Sequence, residues 1–538
     1  MKTAGRLFSC LLPVVLAGCA PRQTAVEAGD RGQVLHRGVG YEVAALDPQV
    51  TTGTAEVAIL TELFEGLVSE DPRDLHPVPG VASGWETSAD GLVTTFKLRA
   101  DARWSDGRPV TAADFVASWR RILTPSLGAP YAGELHILKG AADFNTGRTR
   151  DFATVGVAAL DDHRLRITLD HPVPGFLSRL ATLPWLPVPT ATIAASGDPF
   201  GPGNPWAQEG RIVGNGPFLL KSWRRDSEIV VVKSPTYWGA ASVRLNEIHF
   251  HPIDSLDAEE RAFRAGQLHV TDAIPLARID EYRRTSPQLL RIDPYLGTYF
   301  YRLNVRRPGL ADPRVRRALS LSVDRAAIVA RLLRGGQSPA AAFCPPGMPG
   351  YRPPPGAGTD FAGARRLLAL SGHAGGAGLP ELELLYNNSE SHRIIAEAIQ
   401  ETWRRELGVG VRLVNQEAKA VMAARESGDY DILRSSWIAD YPDPASFLDL
   451  WRTHGGNNDT GWSSPAYDSL LSRAERAADP AERNSLYRQA EALLLDAAPV
   501  IPIYYYTHVF LIRPSVRGWY PNSLDHHPCR YVWLSGGG

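Results

Sequence analysis

The chain has 538 residues, 44% hydrophobic and 21% charged, and its 57 Lys and Arg against 58 Asp and Glu leave a net charge of −1. At roughly 150 residues per domain, that length exceeds one core and predicts about three. The composition excludes a disordered chain, and the charge balance excludes a nucleic-acid or polyanion binder, which would need a clustered basic excess. At the N-terminus, Lys2 and Arg6 precede a short apolar run from Leu7 to Val15, closed by Leu16-Ala17-Gly18-Cys19. That run is shorter than the ~20 apolar residues needed to span a bilayer, so it reads as a signal peptide, residues 1–18. Residues 20–33 are small and polar, as a tether would be. With Cys10 in the signal and Cys19 at its end, Cys344 and Cys529 remain; an oxidising compartment would let them pair, but spacing does not decide it.

Further along, Ala55 to Leu67 reads as a helix, and Gly91 to Arg99 as a period-two strand after an Asp-Gly turn. Thr111 with Asp114 three residues later is a capping box, and Val155 to Leu169 gives a strand pair turning at Asp161-Asp162. Glu228 to Lys233 and Leu245 to Ile253 are strands, and 297–305 is an aromatic one. A helix starts at Asp312 with Pro313 in its first turn, and a Gly/Pro-rich loop covers 335–358. His392 to Leu407 is an amphipathic helix; Pro480 to Asp496 is another, running into an aromatic strand at 499–506. The mixture is α/β with interrupted sheets, and no internal repeat is visible.

The most informative stretch is Tyr430 to Phe447, YDILRSSWIADYPDPASF, which sets Arg434, Trp437 and Asp440 ahead of a proline-bounded turn. A fixed cation, an aromatic wall and a fixed anion are the parts needed to hold a zwitterion away from water. No G-x-S-x-G, H-E-x-x-H or Gly-rich phosphate loop is present, so nothing predicts an enzyme, a metal or a cofactor. Asp525-His526-His527-Pro528-Cys529 imitates a metal site, but without a spaced second ligand pair it reads as a polar C-terminal tail.

Several runs, in order, resemble the oligopeptide-binding proteins of ABC peptide importers, in the peptide/nickel family of extracytoplasmic solute-binding proteins. They are LFEGLV (63–68), WSDGRPVTAADF (104–115), GNGPF (214–218), SPTYW (234–238), DPRVRRALSLSVDR (312–325) and WIADYPDP (437–444). The resemblance implies a two-lobed periplasmic-binding-protein-like α/β fold (type II, hinge-closing) with an extra third domain. Lobe I would take 34–77, 195–296 and 509–538, the extra domain 78–194, and lobe II 297–508. It implies a non-enzymatic, monomeric receptor that captures short peptides and passes them to the permease of an ABC importer. Leu16-Ala17-Gly18-Cys19 resembles the lipobox of bacterial lipoproteins, which makes Cys19 the lipidated N-terminus of a 19–33 tether. Ala20 is not the aspartate that retains such lipoproteins at the inner membrane, so an outer-membrane anchor facing the periplasm is expected in a Gram-negative cell.

Carried over residue by residue, the resemblance implies that Asp440 takes the ligand α-ammonium, and that Arg434, Arg425 and His392 meet its carboxylate. Trp437, Tyr131 and Tyr506 would line the cleft, while Gly66 to Val68 and Ser435, Ser436 and Trp437 would offer backbone hydrogen bonds. The chain departs from the family pattern at Leu333, where a lysine is expected (Arg334 lies beside it), at Ala418 for a pocket tryptophan, and at Gly297 and Ile438 for a cysteine pair. A different ligand on the same fold stays open (murein peptide, dipeptide, metal chelate or haem), as does a permease-independent sensor.

Overall fold

The computed structural model describes residues 23–536 except 174, 202, 357 and 478; the signal peptide and Cys19 lie outside them. Three larger sheets organise the chain. The first runs Val34–Gly38, Glu247–His251, Glu228–Lys233, Phe218–Arg224, with only the first pair parallel. The second is an antiparallel set, Ala82–Thr87, Val93–Leu98, Arg164–Thr168 and Val157–Asp161. The third has six strands: Ser338–Pro339, Val500–Leu511, Leu290–Leu303, Ile432–Ile438, Leu382–Asn387 and Val411–Gln416. Its last two pairings are parallel, and the others antiparallel.

Leu290–Leu303 and Val500–Leu511 are the long members. Beyond the six-stranded sheet they run on side by side, from Pro294 with Thr507 to Leu290 with Leu511. There Val270 bridges Ile512 on one side and Arg37 on the other, tying these strands to the first sheet. The register slips between Pro294 and Thr298, so Tyr295, Leu296 and Gly297 bulge out where the chain passes between lobes. A bulge bends a strand and re-aims its side chains. It also hides the strand's first half from period-two reading, and both long strands extend beyond the expected 297–305 and 499–506.

Local signals elsewhere fold as their chemistry dictates. Thr111 and Asp114 form the capping box of the helix Ala112–Leu123, and Asp312 caps Pro313–Leu321 with proline in its first turn. Asp479 caps Pro480–Ala497 in the same way.

One apolar core joins the first and second sheets, running from Leu35 and Phe250 through Ile59 to Phe96, Trp119 and Trp185. Within it Arg121 is bound to Asp47 at 2.8 Å, and Asp47 also accepts from Trp206 Nε1 at 3.0 Å. The six-stranded sheet carries separate cores on its two faces, one around Tyr301 and Trp403 and one around Phe300, Phe447 and Trp451. Each lobe therefore folds around its own interior, and two strands cross between them. Cys344 and Cys529 are free and lie in different cores. No helix among the described residues is long and apolar enough to cross a membrane.

Candidate ligand cleft

Ile432–Ile438 pairs along one side with Leu290–Leu303 over its full length, from Ile432 with Leu303 to Ile438 with Gly297. On its other side it pairs with Leu382–Asn387 only at Ile432 and Leu433. From Arg434 to Ile438, that edge has no partner strand among the described residues. Ser436, Trp437 and Ile438 line a cavity of about 520 Å³ between the lobes, opposite Arg37 and the helix Thr54–Leu63.

Asp440 stands just past this edge, at the junction with a second cavity of about 510 Å³. The turn after it is fixed: Asp440 N–H donates to Ser446 Oγ at 3.1 Å, and Arg483 binds Asp443 at 2.8 Å. No described residue donates a hydrogen bond to the Asp440 carboxylate. Burial, and then the charge of Glu134, raise its pKa to about 7 against the opposing pull of His526 and Arg179. Tyr131 lines both cavities, and its hydroxyl is pushed well above the ordinary range by burial and by Asp440 and Glu134. Trp437 also lines both, its indole N–H without an acceptor among the described residues.

At the strand's other end Arg434 has no carboxylate partner among the described residues. Its guanidinium donates to Tyr506 Oη at 2.9 Å and Asn387 Oδ1 at 3.3 Å, and its Cζ sits 4.7 Å from the Tyr299 ring centre. The His392 ring lies 5.5 Å from that of Tyr299, and burial, then Arg434, hold its pKa far below the usual value. Arg434, His392 and Tyr506 are thus brought together around Tyr299, further along the sheet than the 520 Å³ cavity.

Other expected residues fall elsewhere. Arg425, in the last turn of the helix Ala418–Ser427, faces Asp459 at 3.1 Å, a carboxylate that Arg302 also approaches at 3.7 Å. Ser435 turns its hydroxyl to Arg302 Nε at 3.0 Å, on the sheet face opposite Arg434, because strand side chains alternate. Gly66 and Val68 line a small neighbouring hollow of about 60 Å³ with Arg530, not the main cleft.

Leu333 is buried in the lobe core, and Arg334 reaches away to Asp280 at 2.9 Å, so neither supplies a cleft cation. Ala418 is exposed, and Gly297 and Ile438 are cross-strand partners.

The Asp525–Cys529 run corrects the tail expectation, because Asp525 to Pro528 form cleft wall and Cys529 is buried in the core behind them. His526 Nδ1 sits 2.7 Å from Glu70, and Asp525 lies between His508 at 2.9 Å and His527 at 2.8 Å. Burial would lower His508, but Asp525 carries it up to about 9. Glu134, which faces Arg179 at 3.6 Å, is a further wall residue that sequence reading missed. Five polar or constrained residues in a row ending in a cysteine was the available signal, since free cysteine is among the most buried side chains.

Comparison with known proteins then fits the geometry. Residues 76–459 match the family described as "Bacterial extracellular solute-binding proteins, family 5 Middle". The chain belongs to this family. It is 37% identical to the periplasmic oligopeptide-binding protein OppA of Escherichia coli over 537 residues, 97% of each chain. Haemophilus influenzae OppA in complex with RPPGFSPFR superposes with a TM-score of 0.84 at 30% identity, over 93% of this chain and 99% of the other. The E. coli murein tripeptide-binding protein MppA gives 0.85 at 35%, over 93% and 98%. Its unliganded open form gives only 0.72 at 34%, over 96% and 99%.

Proposed function

We propose that this member of the family captures short oligopeptides in the cleft and delivers them to an ABC importer. The unpartnered edge Arg434–Ile438, with an unbonded carboxylate at one end and a cation lacking an acidic partner at the other, carries the reading. A peptide laid along it as an added strand satisfies those backbone groups without regard to side chain, which is what a general receptor needs. Its α-ammonium meets Asp440, and its carboxylate turns toward Arg434 and His392. Six positions at about 3.3 Å each put roughly 20 Å at most between the two Cα atoms, enough for a few residues once both side chains reach inward. Tyr131, Trp437 and Tyr506 wall the ligand, and Ser436 offers backbone. Closure desolvates both charge pairs and strengthens them.

The domain division given from sequence, with lobes hinged at the crossing strands, supports closure around the ligand. The same proposal includes a lipid anchor on Cys19, a periplasm-facing position at the outer membrane, a monomeric receptor and no catalytic activity. The OppA and MppA names of the relatives agree with peptide capture.

The test is calorimetric titration of the domain after Cys19 with a lysine-rich tripeptide and with its N-acetylated form. Binding of the free peptide, lost on acetylation, is expected. Binding by neither, in folded and ligand-stripped protein, would overturn it.

A further inference from the structure

Of the chain's 14 histidines, four gather far from the cleft chemistry, in and beside the first sheet. His36 on Val34–Gly38 is the register partner of His249 on Glu247–His251, and His251 lies two residues on, so all three share one face. Their ring centres lie 4.7 Å (His36 to His249), 5.4 Å (His36 to His251) and 6.4 Å (His249 to His251) apart. His269 stacks behind at 5.7 Å, but its nitrogens are engaged: Nδ1 accepts the His36 N–H at 3.0 Å and Nε2 faces Asp30 at 3.4 Å. His249 is engaged too, with Glu228 at 3.1 Å and Glu247 at 3.2 Å on its two nitrogens.

His36 Nδ1 and His251 Nε2 hydrogen-bond only to each other, 3.2 Å apart, so a cation would take the place of the proton they share. Two imidazole nitrogens each about 2.05 Å from a tetrahedral ion stand about 3.3 Å from one another, so the pair already has the bite of a chelate. Their other nitrogens have no hydrogen-bond partner among the described residues.

We propose that His36 and His251 bind a divalent cation of the zinc class, with Glu228 turning from His249 to supply a third ligand. His249 then positions that carboxylate as a hydrogen-bonding support, as such groups do around metal ligands. Glu228 now pairs with Arg224 and His249, so coordination exchanges one charge partner for a stronger one. Imidazole and carboxylate donors together select zinc, copper or nickel over magnesium. The site lies on the sheet face opposite Arg37, which lines the cleft, and is independent of the peptide reading.

The test is equilibrium dialysis of the untagged, chelator-stripped chain against Zn²⁺, with Mg²⁺ as the comparison. One equivalent of zinc is expected to bind, and thermal melting to shift upward with zinc and not with magnesium. His251→Ala should weaken zinc at least tenfold and Glu228→Gln less, with peptide titration unchanged. His76→Ala breaks the exposed Asp71, Asp74 and His76 group and should leave zinc binding intact. No zinc retained by the wild-type chain, equal binding in His251→Ala, or loss in His76→Ala instead would each overturn the proposal.

Discussion

The two ends of the cleft strand hold opposite charges in different surroundings. Asp440 sits among ionisable neighbours, with burial and then Glu134 pressing its proton on and His526 and Arg179 drawing it off. Arg434 sits among aromatic rings and an amide, with no carboxylate paired to it among the described residues. In the proposed reading the first would be an anchor whose charge can be tuned, and the second a fixed cation that takes the ligand's anion. N-terminal capture should therefore respond to pH and C-terminal capture should not.

The largest effect is expected from Asp440→Ala. It removes one partner of an enclosed charge pair and leaves the peptide ammonium buried, at a cost of about 2–5 kcal/mol in peptide affinity by calorimetry. Retained affinity would remove Asp440 from the anchor role.

Arg434→Leu is expected to cost about 2–4 kcal/mol with free tripeptides. A C-terminally amidated tripeptide should bind as weakly to wild type as to the variant. Unequal losses in that cycle would show that Arg434 acts on the fold and not on the carboxylate.

The pH dependence is smaller. Asp440 must be ionised to bind, so affinity should fall by up to about tenfold per unit as pH drops below 7. It should fall again above about 8, where the peptide's own ammonium deprotonates. An affinity flat from pH 5 to 7 would contradict the anchor's raised pKa. The same shift has a stability sign. A carboxyl raised in the folded state is penalised above about 7 and not below its unfolded value near 4. Water in the cleft reaches Asp440, so Asp440→Asn should stabilise the empty protein by only about 1–2 kcal/mol at pH 8, vanishing below pH 4.

Arg425→Ala marks the small end. Its partner is Asp459, so peptide affinity should move by less than about 0.5 kcal/mol. A tenfold loss would restore it as a carboxylate ligand.

These expectations separate what sequence could carry from what it could not. The placement of Arg434, Trp437 and Asp440 along one strand and its turn was legible because it is local, as were caps such as Thr111 with Asp114. The contact of Arg425 was not, because its partner Asp459 lies 34 positions away in sequence. His526 was not, because its partner Glu70 lies 456 positions back. The first half of Leu290–Leu303 was hidden by Pro294 and the bulge after it, which break the period that reveals a strand.

The central claim is that the ligand completes a sheet along Arg434–Ile438, and a crystal structure with a bound lysine tripeptide tests it most directly. The account predicts peptide backbone hydrogen-bonded to that edge, the ammonium on Asp440 and the carboxylate toward Arg434. A peptide held only by its side chains, or lying with its amino end at Arg434, would contradict it.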